Sequence, residues 1–166
     1  MKKNLFSVFV VALMLSSSAV LAQVEAPRLG IGMQASFPTF GISAKYDFTE
    51  THSAQAVVGV IGPFSNYFGR YSYHFPEKKS QWNMNYRPYL YGQAGIYSYD
   101  FGFEIDGKSK ENIFGWGLGA GIETSVASWN ENLRFSMEVG YGKVDFEYYN
   151  FRAIMFGTGI HYYFNL

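Results

Sequence analysis

The end of the chain, residues 153–166, alternates between two kinds of side chain. One face carries bulky apolar residues such as Ile154 and Phe156, whereas the other carries Gly157, His161 and further small or polar groups. A period of two residues is that of a β-strand, whose successive side chains point to opposite faces of a sheet. The chain is therefore predicted to end in a strand with one apolar face and one face rich in glycine and polar groups.

The same alternation recurs along the chain and predicts eight strands, separated by turn signals such as Pro38 and the charged segment 76–79. The predicted strands are 29–37, 40–48, 54–62, 67–75, 86–99, 113–124, 133–142 and 153–166. A turn is predicted from Thr49 to Ser53, and a longer loop from Asp100 to Asn112. The inner and outer faces of the third and fifth strands stay open, because small or aromatic residues occupy both of their faces.

Composition separates the possible classes of protein. Charged residues make up only 16% of the chain and aromatic residues 20%, whereas a water-soluble domain has about 25% charged residues. Lys and Arg balance Asp and Glu at 13 each, so no basic field is available to bind nucleic acid. There is no cysteine and hence no disulfide framework. After residue 22 no segment is apolar for long enough to form a membrane helix, which leaves a closed β-barrel as the structure able to span lipid.

The N-terminus has the pattern of an export signal. Lys2 and Lys3 precede an apolar stretch from Leu5 to Leu15, and Val20-Leu21-Ala22 provides a small-residue cleavage site. A single membrane anchor is the alternative, but the apolar stretch is shorter than the ~20 residues that a spanning helix needs. Residues 1–22 are therefore predicted to be a removed signal peptide, followed by a short periplasmic arm over 23–28.

The eight alternating segments have roughly the 9–11 residues that a tilted transmembrane strand needs, and the last of them closes the chain with an apolar face. In both respects the chain resembles the small outer-membrane barrels of the OmpA and OmpX type. The resemblance covers residues 29–166. That family normally ends on an aromatic residue, whereas here Asn165 and Leu166 follow Phe164, and Leu166 keeps the phase of Phe164. A soluble lipocalin-like carrier is the alternative barrel, but its outer face would be rich in Lys, Glu and Thr.

The resemblance implies an all-β fold, an eight-stranded antiparallel up-and-down transmembrane β-barrel in the outer membrane of a Gram-negative bacterium. Both termini would lie in the periplasm. The partners it implies are outer-membrane lipid and lipopolysaccharide, periplasmic chaperones and the barrel-assembly machinery. The sequence does not identify an extracellular partner. The expected role is structural or in surface interaction.

The glycine-rich face of the strands is predicted to line the interior, together with a set of charged and histidine side chains. These are Lys45, Asp47, Arg70, His74, Glu123, Arg134, Glu138 and His161. Glu123 is expected almost opposite Arg134, with His161 close to Arg134, so that the charges form a hydrogen-bonded network. An eight-stranded barrel is just wide enough for side chains to fill. A self-satisfied polar plug is therefore favoured over an ion- or proton-conducting path.

The apolar face supplies aromatic residues expected at the two membrane interfaces, where amphipathic rings concentrate. These predicted interfacial aromatics are Tyr67, Trp116, Tyr141, Tyr162 and Phe164. The glycines that alternate from Gly115 to Gly121 lie within a strand and not in a turn opening a helix, which excludes a phosphate-binding loop. They are expected to leave room for long neighbours such as Arg70 or Arg134.

Catalytic signals are weak. Ser72 and His74 share one face of the fourth predicted strand and are the best candidates for a nucleophile and base, as an outer-membrane enzyme that acylates or deacylates lipid A would need. A serine and a histidine are also ordinary members of a polar interior. The prediction is therefore no catalytic site, and neither a metal nor a cofactor is expected.

Overall fold

The computed structural model describes residues 27–36, 39–80, 84–105, 108–126, 130–145 and 150–165. Its strands are β1 (Arg28–Ser36), β2 (Thr39–Asp47), β3 (His52–Ile61), β4 (Phe64–His74), β5 (Lys78–Lys79), β6 (Met84–Ile105), β7 (Lys108–Val126), β8 (Leu133–Asp145) and β9 (Asn150–Asn165). The predicted signal peptide lies outside the described residues, as does most of the predicted arm. Among the described residues, no helix is both long and apolar enough to cross a membrane.

The long strands form an antiparallel meander that closes on itself. In space the strands follow the order β4, β3, β2, β1, β9, β8, β7, β6, and β4 also pairs with β6. The two-residue strand β5 pairs with β6 alone among the described strands. The described residues therefore form a closed eight-stranded antiparallel up-and-down β-barrel, and the predicted fold class is confirmed.

The barrel has two different ends. At the chain-terminal end Arg28, in the first strand, pairs with Asn165, in the last. At the opposite end a short turn joins β3 to β4, and Gly62 adopts the left-handed conformation there, with φ of 53°. Glycine populates this region without the steric penalty that a side chain would bring.

The predicted loop from Asp100 to Asn112 is wrong, because most of it is a hairpin. β6 continues for 22 residues to Ile105, β7 begins at Lys108, and Asp100 pairs with Lys110. The hairpin extends past the last rung that β6 makes with β4, between Tyr99 and Phe64. Outside a barrel wall neither face of a strand has to be apolar, so the alternation that reveals a strand is lost.

The remaining differences at strand ends are small. β3 begins at His52, so the predicted turn that ended at Ser53 is shorter than expected. β4 begins at Phe64, three residues before the predicted start at Tyr67. Strand ends depend on single hydrogen bonds and are the least marked part of a sequence pattern.

The wall of the barrel is apolar outside and largely polar inside. Ile42, Met137 and Phe156 are about 70% exposed on the outer face, whereas Glu123 and His74 inside are at most 1% exposed. Alternation along each strand separates the two sets of side chains. The core of this molecule is therefore the polar lumen, and its largest continuous apolar surface faces outward.

Large rings from β6 fill space that glycines on the neighbouring strands leave free. A Cβ atom added at Gly119 would lie 2.5 Å from the Tyr91 ring, and one at Gly121 would lie 2.5 Å from the Tyr89 ring. The expectation that these glycines make room for Arg70 or Arg134 is wrong, since tyrosine rings and, at Gly117, the Met155 side chain occupy the space. The inner face of β7, the sixth predicted strand, is rich in glycine because tyrosines fill the inner face of β6, the fifth predicted strand.

Candidate functional site

The charged side chains at the chain-terminal end of the lumen form one network, with Glu123 at its centre. Lys45 and Arg87 both donate hydrogen bonds to the Glu123 carboxylate, the one from Arg87 at 2.7 Å. The Tyr163 hydroxyl donates a third at 3.2 Å. Glu123 lies on β7, and Arg87 is its register partner on the neighbouring strand β6. Lys45 lies on β2, which is separated from β7 by three strands, so its bond crosses the interior and connects distant parts of the wall.

Two further carboxylates complete this terminal network, which consists of Arg28, Lys45, Asp47, Glu77, Arg87, Glu123 and Arg134. Asp47 accepts hydrogen bonds from Arg87 at 3.0 Å and from Arg28 at 3.4 Å. Arg134 donates to Glu77 at 2.6 Å and lies 3.7 Å from Glu123. Glu77 follows β4 in the segment at the mouth of the barrel and is one-third exposed. All four cations of the network therefore contact a buried carboxylate, and Arg134 also contacts the partly exposed Glu77.

A second group of polar side chains lies deeper in the lumen, around the central pair Arg70 and Glu138. Arg70 donates to Glu138 and, at 2.7 Å, to the Gln93 side-chain oxygen. Its guanidinium carbon lies 4.1 Å from the centre of the Tyr91 ring. The Tyr89 hydroxyl donates to Glu138 at 2.7 Å. Both members of the pair are almost completely buried, so charge pairing and hydrogen bonds compensate for the loss of water.

At the opposite end the buried side chains are uncharged. Tyr97, Val144 and Met155 form the apolar plug, against which Tyr99, Ile113 and Ala153 pack. Charges in this half would lack the partners that surround Glu123. Among the described residues, the lumen is thus filled by ion pairs at one end and at the other by the apolar plug together with uncharged polar side chains such as Asn66 and Ser98.

The structure places all eight side chains of the predicted lumen set inside the barrel, with exposed fractions from 0% to 6%. It brings Arg134 near Glu123, but the short contacts of Glu123 are to Lys45 and Arg87. Arg134 and His161 are register partners, whereas the His161 ring interacts with Ser43 at 2.9 Å. The β7–β8 hairpin alone does not give these partners, because Arg87 faces Glu123 from β6 and Lys45 reaches Glu123 across the lumen from β2.

Arg87 is the member of the network that the sequence analysis missed. It lies on β6, whose face assignment was open, and shares the inner face with Gln93 and three buried tyrosines. Leu90 and Ile96 occupy the outer face. The sequence signal that could have identified the inner face is that Arg87 and Gln93 are polar, whereas these residues on the other face are aliphatic.

The Ser72 and His74 pair is not arranged as a nucleophile and base. Both side chains are buried, but the His74 ring interacts with Ser53 at 3.0 Å, through Nε2. His74 Nδ1 has no hydrogen-bond partner among the described residues, so no carboxylate orients the ring as a catalytic triad requires. The ring is also enclosed, at 0% exposed. Its geometry fits a packed polar group better than a base that meets a substrate.

The five predicted interfacial aromatics are exposed on the outer face, by 38% to 53%. Tyr162 and Phe164 lie near the chain-terminal end, with ring centres 5.0 Å apart. Tyr67, Trp116 and Tyr141 lie in the halves of their strands nearer the opposite end, and the rings of Trp116 and Tyr141 are 6.3 Å apart. The exposed aromatics therefore fall into two groups, as two membrane interfaces would require.

No group of three or more histidine, aspartate or glutamate residues within the described part of the chain is placed to hold a metal ion. The carboxylates of the lumen are instead engaged by cations of the protein itself. Chemically, this arrangement can hold charge inside a narrow barrel and fix the positions of the strands.

Comparison with solved protein structures finds similar chains. The N-terminal β-barrel domain of Pseudomonas aeruginosa OprF is similar with a TM-score of 0.55 and 16% identity, over 85% of this chain and 98% of that domain. Neisserial surface protein A is similar with a TM-score of 0.48 and 13% identity, over 84% and 94% of the two chains. Ail, the attachment invasion locus protein of Yersinia pestis, is similar with a TM-score of 0.38 and 15% identity, over 86% of this chain and 100% of that one. No protein-family model and no curated protein matches the sequence.

The likeness to the OprF domain covers nearly all of both barrels and shows a shared fold. The chain therefore has the fold of a small eight-stranded outer-membrane β-barrel, as the sequence resemblance implied. The predicted localisation in a bacterial outer membrane agrees with this fold.

Proposed function

We propose that the chain is an integral outer-membrane protein with a filled lumen, and that its role is structural or in surface interaction without catalysis. The distribution of side chains between the two faces of the wall carries this proposal. Large apolar residues are exposed all around the outside, while ion pairs and hydrogen-bonded polar groups are buried inside. A lipid environment stabilises this arrangement, whereas water would leave most of the apolar surface hydrated.

The height of the apolar outer face supports a membrane-spanning barrel. On β9 the outward positions from Ile154 to Phe164 are apolar apart from Thr158. They cover about 33 Å of strand at roughly 3.3 Å per residue. With a strand tilt of roughly 40° this is about 25 Å of height, which matches the apolar band of outer-membrane barrels.

Cell fractionation tests the proposal directly. The chain should be recovered with the outer membrane, need detergent for extraction, and migrate differently on an SDS gel before and after boiling, because a closed barrel resists unfolding by SDS. A chain that is soluble at high concentration without detergent would contradict the proposal and favour the lipocalin-like carrier.

The absence of catalysis is tested at His74. Because its ring is enclosed and interacts with Ser53, His74→Gln should lower the unfolding midpoint slightly and leave lipid A unchanged. Mass spectra of lipid A from cells overexpressing the wild type and the variant check this. A change of one acyl chain that appears with the wild type and is lost with His74→Gln would show a lipid-A-modifying enzyme, since losing a catalytic base reduces activity by orders of magnitude.

A further inference from the structure

Two basic side chains face outward where the apolar outer surface ends. On β8 the exposed apolar series reaches Tyr141 and is followed on the same face by Lys143; on β9 it ends at Ile154, next to Arg152. Tyr141 pairs with Ile154, and Lys143 pairs with Arg152. The two cations therefore lie side by side at the edge of the apolar surface, at the end of the barrel away from the chain termini.

This pair of like charges is incompletely neutralised. Lys143 lies 2.6 Å from Asp145, and Arg152 donates to the same carboxylate at 3.1 Å and 3.4 Å. These hydrogen bonds hold the pKa of Asp145 below its ordinary value. Like charges directly opposite each other on neighbouring strands are destabilising, and among the described residues the single carboxylate of Asp145 offsets only one of the two. The Arg152 side chain is 57% exposed, so its guanidinium is accessible to a further anion.

An aromatic pair lies next to the cations on the same outer face. Trp116 is the register partner of Lys143 on β7, and its ring is 6.3 Å from that of Tyr141. Tryptophan and tyrosine concentrate at the level of lipid headgroups. Their position indicates that Lys143 and Arg152 lie at headgroup depth, where a lipid phosphate could reach both.

We propose that Lys143 and Arg152, flanked by Trp116 and Tyr141, form a binding site for a phosphate group of lipid A, the phosphorylated glycolipid of the outer leaflet. This inference rests on the proposed function, because an outer-membrane barrel with periplasmic termini directs this rim to the outer leaflet. Arginine binds phosphate with paired, charge-assisted hydrogen bonds, and lysine adds a point charge. Because both cations point outward from the barrel wall, they can contact a ligand in the surrounding membrane but not one in the lumen.

Titration of the detergent-solubilised chain with bisphosphorylated lipid A, followed by native mass spectrometry, tests the site. The double variant Lys143→Gln, Arg152→Gln should bind about 30-fold more weakly, as two cations at about 1 kcal/mol each would give. Asp145→Asn removes the competing carboxylate and should strengthen binding several-fold. If Asp145 serves only to hold the β8–β9 hairpin together, Asp145→Asn would not increase the affinity for lipid A.

The matched control changes the same number of charges at the other rim. Lys78→Gln, Lys79→Gln alters two exposed lysines of β5, at the chain-terminal end, and should leave lipid A affinity unchanged. Dephosphorylated lipid A should bind the wild type as weakly as bisphosphorylated lipid A binds the Lys143, Arg152 double variant. Equal binding by that variant and the wild type would overturn the site, and so would equally tight, cation-dependent binding of phosphatidylglycerol.

Fractionation of the same variants separates this inference from the proposed function. A wild-type chain absent from the outer membrane would contradict the proposed function whatever the titration shows. If wild type and double variant both reside in the outer membrane but bind lipid A equally, only the phosphate site is wrong.

Discussion

The two halves of the lumen solve the same packing problem with different chemistry. At the chain-terminal end, four cations and three carboxylates converge in the terminal network, around the buried Glu123. At the opposite end, the apolar plug of Tyr97, Val144 and Met155 fills the space. Buried charges are paired with charges at one end, and the apolar side chains of the plug pack against one another at the other. A narrow barrel can therefore be closed without a uniform interior.

The terminal network and the contacts between rings and glycines should respond differently to substitution. In the terminal network, removing one charge leaves others buried without compensation, so the cost is electrostatic. Where rings pack against glycines, the cost of a change is steric, because the rings already occupy the available volume. In each case below, the quantity to measure is the free energy of unfolding of the barrel in urea with lipid or detergent present.

The largest effect is expected for Glu123→Ala. Lys45 and Arg87 would lose their shared carboxylate inside the barrel, which should destabilise the fold by about 3–5 kcal/mol, or by less where lumen water enters. As a control, Glu131→Ala changes an exposed residue in a turn and should stay within about 0.5 kcal/mol of the wild type. Equal effects at the two positions would contradict the central role of Glu123.

A smaller steric effect is expected for Gly119→Ala. The added Cβ would lie 2.5 Å from the Tyr91 ring, and overpacking of this kind costs about 1–3 kcal/mol. Gly69→Ala is the matched control, because a Cβ there meets nothing within 4 Å. If both substitutions cost the same, backbone propensity and not ring packing would explain the glycines of β7.

The smallest effect is expected for Glu77→Gln. Glu77 is one-third exposed, and Arg134 would keep Glu123 at 3.7 Å. The loss should be below about 1 kcal/mol and should shrink further as salt is added, because screening weakens exposed pairs. A loss as large as that of Glu123→Ala would extend the essential part of the network to the mouth of the barrel.

The fold was predictable because alternation is a property of each strand by itself. In β7 and β8 glycine and polar residues alternate with large apolar ones, so the inner face could be assigned without knowing any neighbour. The inner face of β6 could not be assigned in this way because tyrosines fill it, and Arg87 was missed for that reason. The hairpin beyond Tyr99 was missed because its strands leave the barrel wall and lose the pattern.

The partners inside the lumen were less predictable than its members. Arg134 is close to Glu123 along the β7–β8 hairpin, and sequence spacing suggested this contact. The shorter contacts come from two other residues. Arg87 lies directly opposite Glu123 on β6 and was missed with the inner face of that strand, whereas Lys45 reaches Glu123 across the lumen from β2. Contacts across a barrel depend on strand tilt and stagger, which a sequence pattern alone does not specify.

The meander has a consequence for how fast the barrel can form. Among the described long strands, each ladder joins neighbours in the chain order of these strands, except the one that pairs β1 with β9. That ladder brings together residues from opposite ends of the sequence, and such long-range pairing is the slow step in β-proteins. Gly32 lies so close to the Ile160 carbonyl across this ladder that an added Cβ would collide with it. The kinetics of closure, and the time during which unpaired strand edges stay open to aggregation, therefore depend on these two strands.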